Sequence, residues 1–118
     1  MKQEIKEKWV AALRSGEYQQ TTGCLRSSEG FCCLGVLTDL YLKEHDEEWG
    51  GFIKGSEYVL PGWVRMWAEV STNPHVLNTH YSDRLVLGLA ELNDGSCFIK
   101  NRYNFNQIAE VIEQNNIL

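Results

Sequence analysis

Four cysteines are the first side chains in this sequence whose type could do chemistry: Cys24, Cys32, Cys33 and Cys97. A structural zinc site takes four ligands, usually as two closely spaced pairs. Here the gaps are eight, one and sixty-four residues. Neighbours on a helix also point about 100° apart, so Cys32 and Cys33 do not easily share one tetrahedral ion. No metal site is expected. A thiolate nucleophile remains open, because a helix N-terminus lowers a thiol pKa, although no histidine lies nearby in sequence. Free cysteine is among the most buried residue types, so packing is the preferred reading of the pair.

The three histidines, His45, His75 and His80, form neither an HExxH nor an HxH pattern. His80 with Asp83, or His75 with a distant cysteine, would make an acid–base pair. Loop histidines without such a motif are more often solvated. A small hydrolase using cysteine or histidine is therefore carried as an alternative.

Polar residues close to regular structure offer a different chemistry. Tyr18, Gln20 and Arg26 precede Gly30 and Phe31, which open a helix. Unpaired amides at a helix N-terminus attract anions, and an arginine holds a phosphate with two hydrogen bonds. A tyrosine or tryptophan stacked on a base would complete a nucleotide site. The plainer reading pairs Arg26 with Glu29 or Glu17 and packs Tyr18 on the first helix. Asn93 and Asp94, followed by Gly95, either turn the chain through side-chain bonds to backbone or present a carboxylate to a ligand. The expected ligand-binding set is Tyr18, Gln20, Arg26, Gly30, Phe31, Asn93 and Asp94.

These residues need elements to hold them. Residues 3–15 carry Ile5, Trp9, Val10 and Leu13 on one helical stripe, with Gly16 as a stop. Residues 18–21 and 24–27 read as two short paired strands. Residues 32–45 read as the most buried helix, with Cys33, Val36, Leu37, Leu40 and Tyr41 at helical period. Gly35 inside it costs about 1 kcal/mol relative to alanine and suggests close approach by a neighbour. Residues 58–60 read as extended, and Pro61 opens a short helix that turns Val64, Trp67 and Ala68 inward. Residues 71–83 read as loop. Ser82 or Asp83 is expected to cap a helix running through residue 94, with Leu85, Leu89 and Leu92 on one side. Asn104 caps a last helix with Phe105, Ile108, Ala109 and Ile112 on its apolar face. The expectation is one α+β domain over residues 1–118, mostly helical with about five helices and a small two- or three-stranded antiparallel sheet.

The bulk numbers bound the function. A chain of 118 residues with 43% hydrophobic residues is of ordinary size for one packed domain. A net charge of -5 argues against generic DNA binding, which uses clustered Lys and Arg, but not against a small anionic ligand. The N-terminus has no apolar signal region, and no run is long enough to span a membrane. Cytoplasmic thiols rather than disulfides are expected.

Several stretches together resemble a known group: Trp9-x-x-Ala-Leu-Arg-Ser-Gly-x-Tyr-x-Gln, Phe31-Cys-Cys-Leu-Gly-Val-Leu, Tyr58-Val-Leu-Pro, Leu89-Ala-x-Leu-Asn-Asp, and Phe105-x-x-Ile-Ala-x-x-Ile-Glu. The chain resembles small, mostly unannotated proteins of tailed-phage and prophage accessory regions. That resemblance implies a phage-borne factor in the cytoplasm of an infected bacterium, acting in counter-defence. Some phage factors of this size sequester cyclic nucleotide signals. The leading expectation is thus non-enzymatic sequestration of a (cyclic) nucleotide by a homo-oligomer without cofactors. The further alternative is an inhibitor that binds a host defence protein through an acidic, aromatic surface, with the acidic residues 44–48 as its charge.

Overall fold

The structure, a computed structural model, describes residues 1–78, 85–96 and 101–118. The first helix, α1 (Gln3–Arg14), buries Ile5, Trp9, Val10 and Leu13, the stripe expected from its period. It packs on α2 (Cys33–Glu44) and α5 (Phe105–Gln114). Helix α2 is buried on most of its circumference, from Cys33 through Asp39 and again at Tyr41 and Leu42. It is the element around which the core is built, and the Trp9 indole N–H donates to the Cys33 carbonyl at 3.0 Å across the α1–α2 contact.

Gly35 explains how the chain closes over α2. A methyl group there would sit 1.7 Å from the Leu25 carbonyl oxygen. The segment before the helix therefore lies directly on the helix backbone, as the internal glycine suggested.

The strand pairing differs from the expected one. The hairpin is β1 (Arg26–Ser27) against β2 (Gly30–Phe31), antiparallel, with Arg26 opposite Phe31. Residues 18–21 do not pair with 24–27; Gln20 instead bridges to Phe31 in parallel. The turn chemistry decides this. The Ser27 hydroxyl accepts from the Glu29 N–H, and Gly30 takes a φ of 143° where an added methyl group would sit 2.2 Å from the Gln19 carbonyl oxygen. Only glycine fits there. On the outer edge, Arg26 N–H donates to Gly55 and Leu25 N–H to Glu57.

A second correction concerns residues 71–94. Rather than a loop followed by one long helix, β3 (His75–Asn78) pairs antiparallel with β4 (Leu85–Gly88), His75 opposite Gly88. The helix, α4 (Leu89–Asp94), is only the last part of the expected one. A short apolar run such as Leu85-Val-Leu does not distinguish strand from helix by periodicity, and a pairing partner at residues 75–78 tips it to strand. The expected caps Ser82 and Asp83 lie outside the described residues.

Helix α3 (Gly62–Ala68) follows Pro61 and buries Val64 and Ala68, with Trp67 half-buried. Asn104 and Gln107 form a reciprocal capping box at the start of α5. The C-terminal tail docks: Ile117 is buried, and the Met1 amino group donates to its carbonyl. The architecture is α+β, with five helices and two small antiparallel sheets among the described residues. No helix among them is long and apolar enough to cross a membrane.

Candidate functional site

The N-terminus of α2 is the place where sequence reasoning put an anion. Its amides are already engaged. The Cys33 N–H donates to the Asn93 side-chain oxygen at 3.1 Å, and the Gly35 N–H donates to Cys32 Sγ at 3.3 Å. Cys32 is thus the N-cap of the helix, a role that oxygen side chains usually take. Cys33 is completely buried and directs its thiol to the Leu89 carbonyl. Burial pushes the Cys32 thiol up to about 11 and the Cys33 thiol well above its ordinary value. Both remain protonated, so the pair packs and caps. Cys97 and His80 lie outside the described residues.

Asn93 joins three segments. Its side-chain oxygen also accepts from Gln20 Nε2 at 2.9 Å. Its amide nitrogen donates to the Thr21 carbonyl and to Asp94 Oδ1. Gln20 completes the network by donating to the Tyr103 carbonyl. Every polar atom of this buried asparagine is satisfied, which is what a buried amide needs. Asn93 therefore fixes the α2 N-terminus, residues 20–21 and α4 relative to one another. Asp94 carries an exposed carboxylate held by Asn93.

Beside this framework lies an open cleft of about 500 Å³, lined by Gln20, Thr21, Thr22, Glu29, Asn93, Arg102, Tyr103 and Asn104. A neighbouring recess along α5, about 430 Å³, shares Arg102 and Tyr103. The cleft is polar, with one guanidinium, two threonine hydroxyls and a half-buried tyrosine.

The other expected residues gather elsewhere. Tyr18 does not pack on α1 alone; its hydroxyl donates to Asp39 Oδ2 at 2.5 Å. Trp49 donates its indole N–H to Asp39 Oδ1 at 2.9 Å, and Lys43 pairs with Asp39 at 3.0 Å. Burial alone would raise the Asp39 carboxyl, but the bonds from Tyr18, Trp49 and Lys43 together outweigh it and hold the pKa below its ordinary value. Phe31 meets Tyr18 edge-on with centroids 5.0 Å apart. The Arg26 guanidinium lies 5.7 Å from the Phe31 ring centre and 5.6 Å from that of Trp49. It stacks on rings rather than pairing with Glu29 or Glu17, and it is not among the residues lining the cleft.

The seven expected site residues thus divide. Gln20 and Asn93 line the cleft, with Asp94 bonded to Asn93. Tyr18, Arg26 and Phe31 belong to the aromatic cluster around Asp39, and Gly30 is a backbone requirement of the hairpin. Arg102, Tyr103, Thr21 and Thr22 were not singled out from sequence. A cation and an aromatic directly before the Asn104 cap were the available signal. Asp39 was missed too, although a carboxylate inside an otherwise apolar helix stripe calls for partners. Among the described residues, no group of three or more His, Cys, Asp or Glu side chains is placed to hold a metal.

One protein-family model, described as "Domain of unknown function (DUF8296)", matches residues 1–116. The chain belongs to this family. The DUF8296 unit therefore takes in every described element from α1 to α5, including the cleft and the Tyr18–Asp39 cluster. No curated protein and no solved structure matches the chain. Within the DUF8296 unit, the cleft is the concave surface where a guanidinium, hydroxyl groups and an aromatic ring converge.

Proposed function

We propose that this protein works by binding and holding a small anionic ligand, a cyclic nucleotide by chemical class, and that it serves as a phage-borne counter-defence factor. The observation that carries the reading is the placing of Arg102 and Tyr103 on one cleft beside the Asn93 framework. A guanidinium grips a phosphate with paired hydrogen bonds. A half-buried tyrosine offers a face on which a base stacks, and the threonine hydroxyls supply further donors. The cleft volume falls in the range of small-molecule sites, about 300–1,000 Å³. Glu29 also lines the cleft, so a bound anion is held best with its charge against Arg102. The alternative of a cysteine hydrolase loses its best nucleophile, because the thiols of Cys32 and Cys33 are buried and protonated. The phage and counter-defence parts rest on the motif resemblance.

The test is incubation of the protein with cyclic mono- and dinucleotides, removal of free ligand, denaturation and chromatography of what is released. Intact ligand is expected. Arg102→Ala should weaken binding about tenfold, equivalent to about 1.4 kcal/mol, while Arg26→Ala leaves it unchanged. A cleaved product would make the protein an enzyme, and no retained nucleotide would end this reading. Native mass spectrometry of the same sample reports the oligomeric state and any co-purified ligand.

A further inference from the structure

A second surface, apart from the cleft, carries an independent conclusion. From Glu44 at the end of α2 the chain turns through an exposed acidic loop, Asp46, Glu47 and Glu48. The Gly50 N–H then donates to the Ile53 carbonyl at 2.9 Å, closing a tight turn that presents Phe52 at its tip. Phe52 is 94% exposed, and on α3 Trp63 is 67% and Met66 65% exposed. Large apolar side chains held this far into water mark an interaction surface when they cluster. Phe52 and Trp63 do cluster: they wall a groove of about 290 Å³ whose floor is Tyr41 and Ile53. Both floor residues are buried.

The charge around the groove identifies the occupant. Glu47 is the charged side chain in its lining, and the rest of the acidic loop adjoins it. Lys43, the last cation of α2, is tied to Asp39. Lys54 and Arg65 are exposed on flanking segments but do not line the groove. An apolar anchor site with a negative rim complements a positive partner. A second copy of the chain would instead bring its own Glu47 and acidic loop to the contact. We infer that the Phe52–Trp63 groove docks a segment of another protein that offers an apolar anchor side chain flanked by lysine or arginine.

The probe is a labelled amphipathic helical peptide of leucine and lysine, with the matching leucine–glutamate peptide as control, titrated against the full chain by fluorescence anisotropy. The lysine peptide should saturate at one per chain, and the glutamate peptide should not bind. Phe52→Ala with Trp63→Ala should weaken binding by about tenfold or more. Glu47→Gln should weaken it less and flatten its dependence on salt. Phe52 and Trp63 are exposed, so circular dichroism melting of the double variant should match the wild type. The inference fails if the lysine peptide does not bind, if both peptides bind alike, or if the double variant binds as well as wild type. It also fails if the free protein sediments as a dimer that Trp63→Ala dissociates, since a second copy then covers the groove. None of these outcomes depends on a nucleotide in the cleft.

Discussion

The backbone N–H of Cys33 is hydrogen-bonded to the side-chain oxygen of Asn93, sixty residues along the chain, at 3.1 Å. The same asparagine holds Gln20 and the Thr21 carbonyl. Asn93→Ala would leave the Cys33 N–H and the Thr21 carbonyl without this partner and open a void. The expected cost is about 2–4 kcal/mol, read from the denaturant midpoint at unchanged m-value. Asn93→Asp keeps the acceptor but loses the donor and buries a charge, so it should be no better tolerated at neutral pH. An alanine variant as stable as the wild type would remove Asn93 from the framework.

The Leu25 backbone lies directly on α2 at Gly35. Alanine has the higher helix propensity by about 1 kcal/mol, so a free helix would gain from Gly35→Ala. Here the added methyl group would lie 1.7 Å from the Leu25 carbonyl oxygen, and the segment bearing it must move. We expect net destabilisation by about 1–3 kcal/mol. A raised melting temperature would show that this packing gives way easily.

The Tyr18–Asp39–Lys43 group makes acid stability predictable in sign. The Asp39 carboxyl is depressed in the folded state. Its contribution is present above the unfolded-state pKa, ordinarily 3.8, and is lost as pH falls through the lower folded value. Tyr18→Phe removes one of the three bonds that keep it low and should cost about 1–2 kcal/mol at neutral pH. The cost should shrink as Asp39 protonates. Lys43 is raised, first by its hydrogen bond to Asp39, so its contribution persists below its ordinary pKa and disappears as pH rises through the folded value. Denaturation curves of wild type and Tyr18→Phe across pH would expose the pattern. A constant gap down to strongly acid pH would contradict it.

Thiol labelling separates the capping cysteine from the reactive kind. In the folded protein Cys32 and Cys33 should resist iodoacetamide at about pH 8, where a thiol near its ordinary pKa is partly ionised. Half-exposed Cys24 should be alkylated before either of them. Peptide mass spectrometry gives the order directly. Cys32→Ser should be neutral or slightly stabilising, because oxygen is the better N-cap acceptor for the Gly35 N–H. Cys33→Ser, completely buried, should cost more. Rapid native labelling of Cys32 would return that pair to chemistry.

Elements whose signal is local could be read along the chain. Ile5, Trp9, Val10 and Leu13 repeat at helical period and are buried in α1. Asn104 and Gln107 carry a complete cap within four residues, and Gly35 announced a close approach from its place in an apolar helix. What needed tertiary structure was every choice between partners. Residues 26–27 were expected to pair with 18–21, and the Ser27 turn with the positive φ at Gly30 gave them residues 30–31 instead. Leu85–Gly88 became strand because His75–Asn78 was there to pair with it. The site followed the same logic. Residue types pointed to Tyr18, Arg26 and Asn93 as one group, but hydrogen-bonding distance sent Tyr18 to Asp39 and Asn93 to Cys33. Period and capping are short-range properties, legible along a chain. Which buried polar group satisfies which other depends on segments brought together from far apart along the chain, as Gln20 is with Tyr103, eighty-three residues on, and only the packed core decides that.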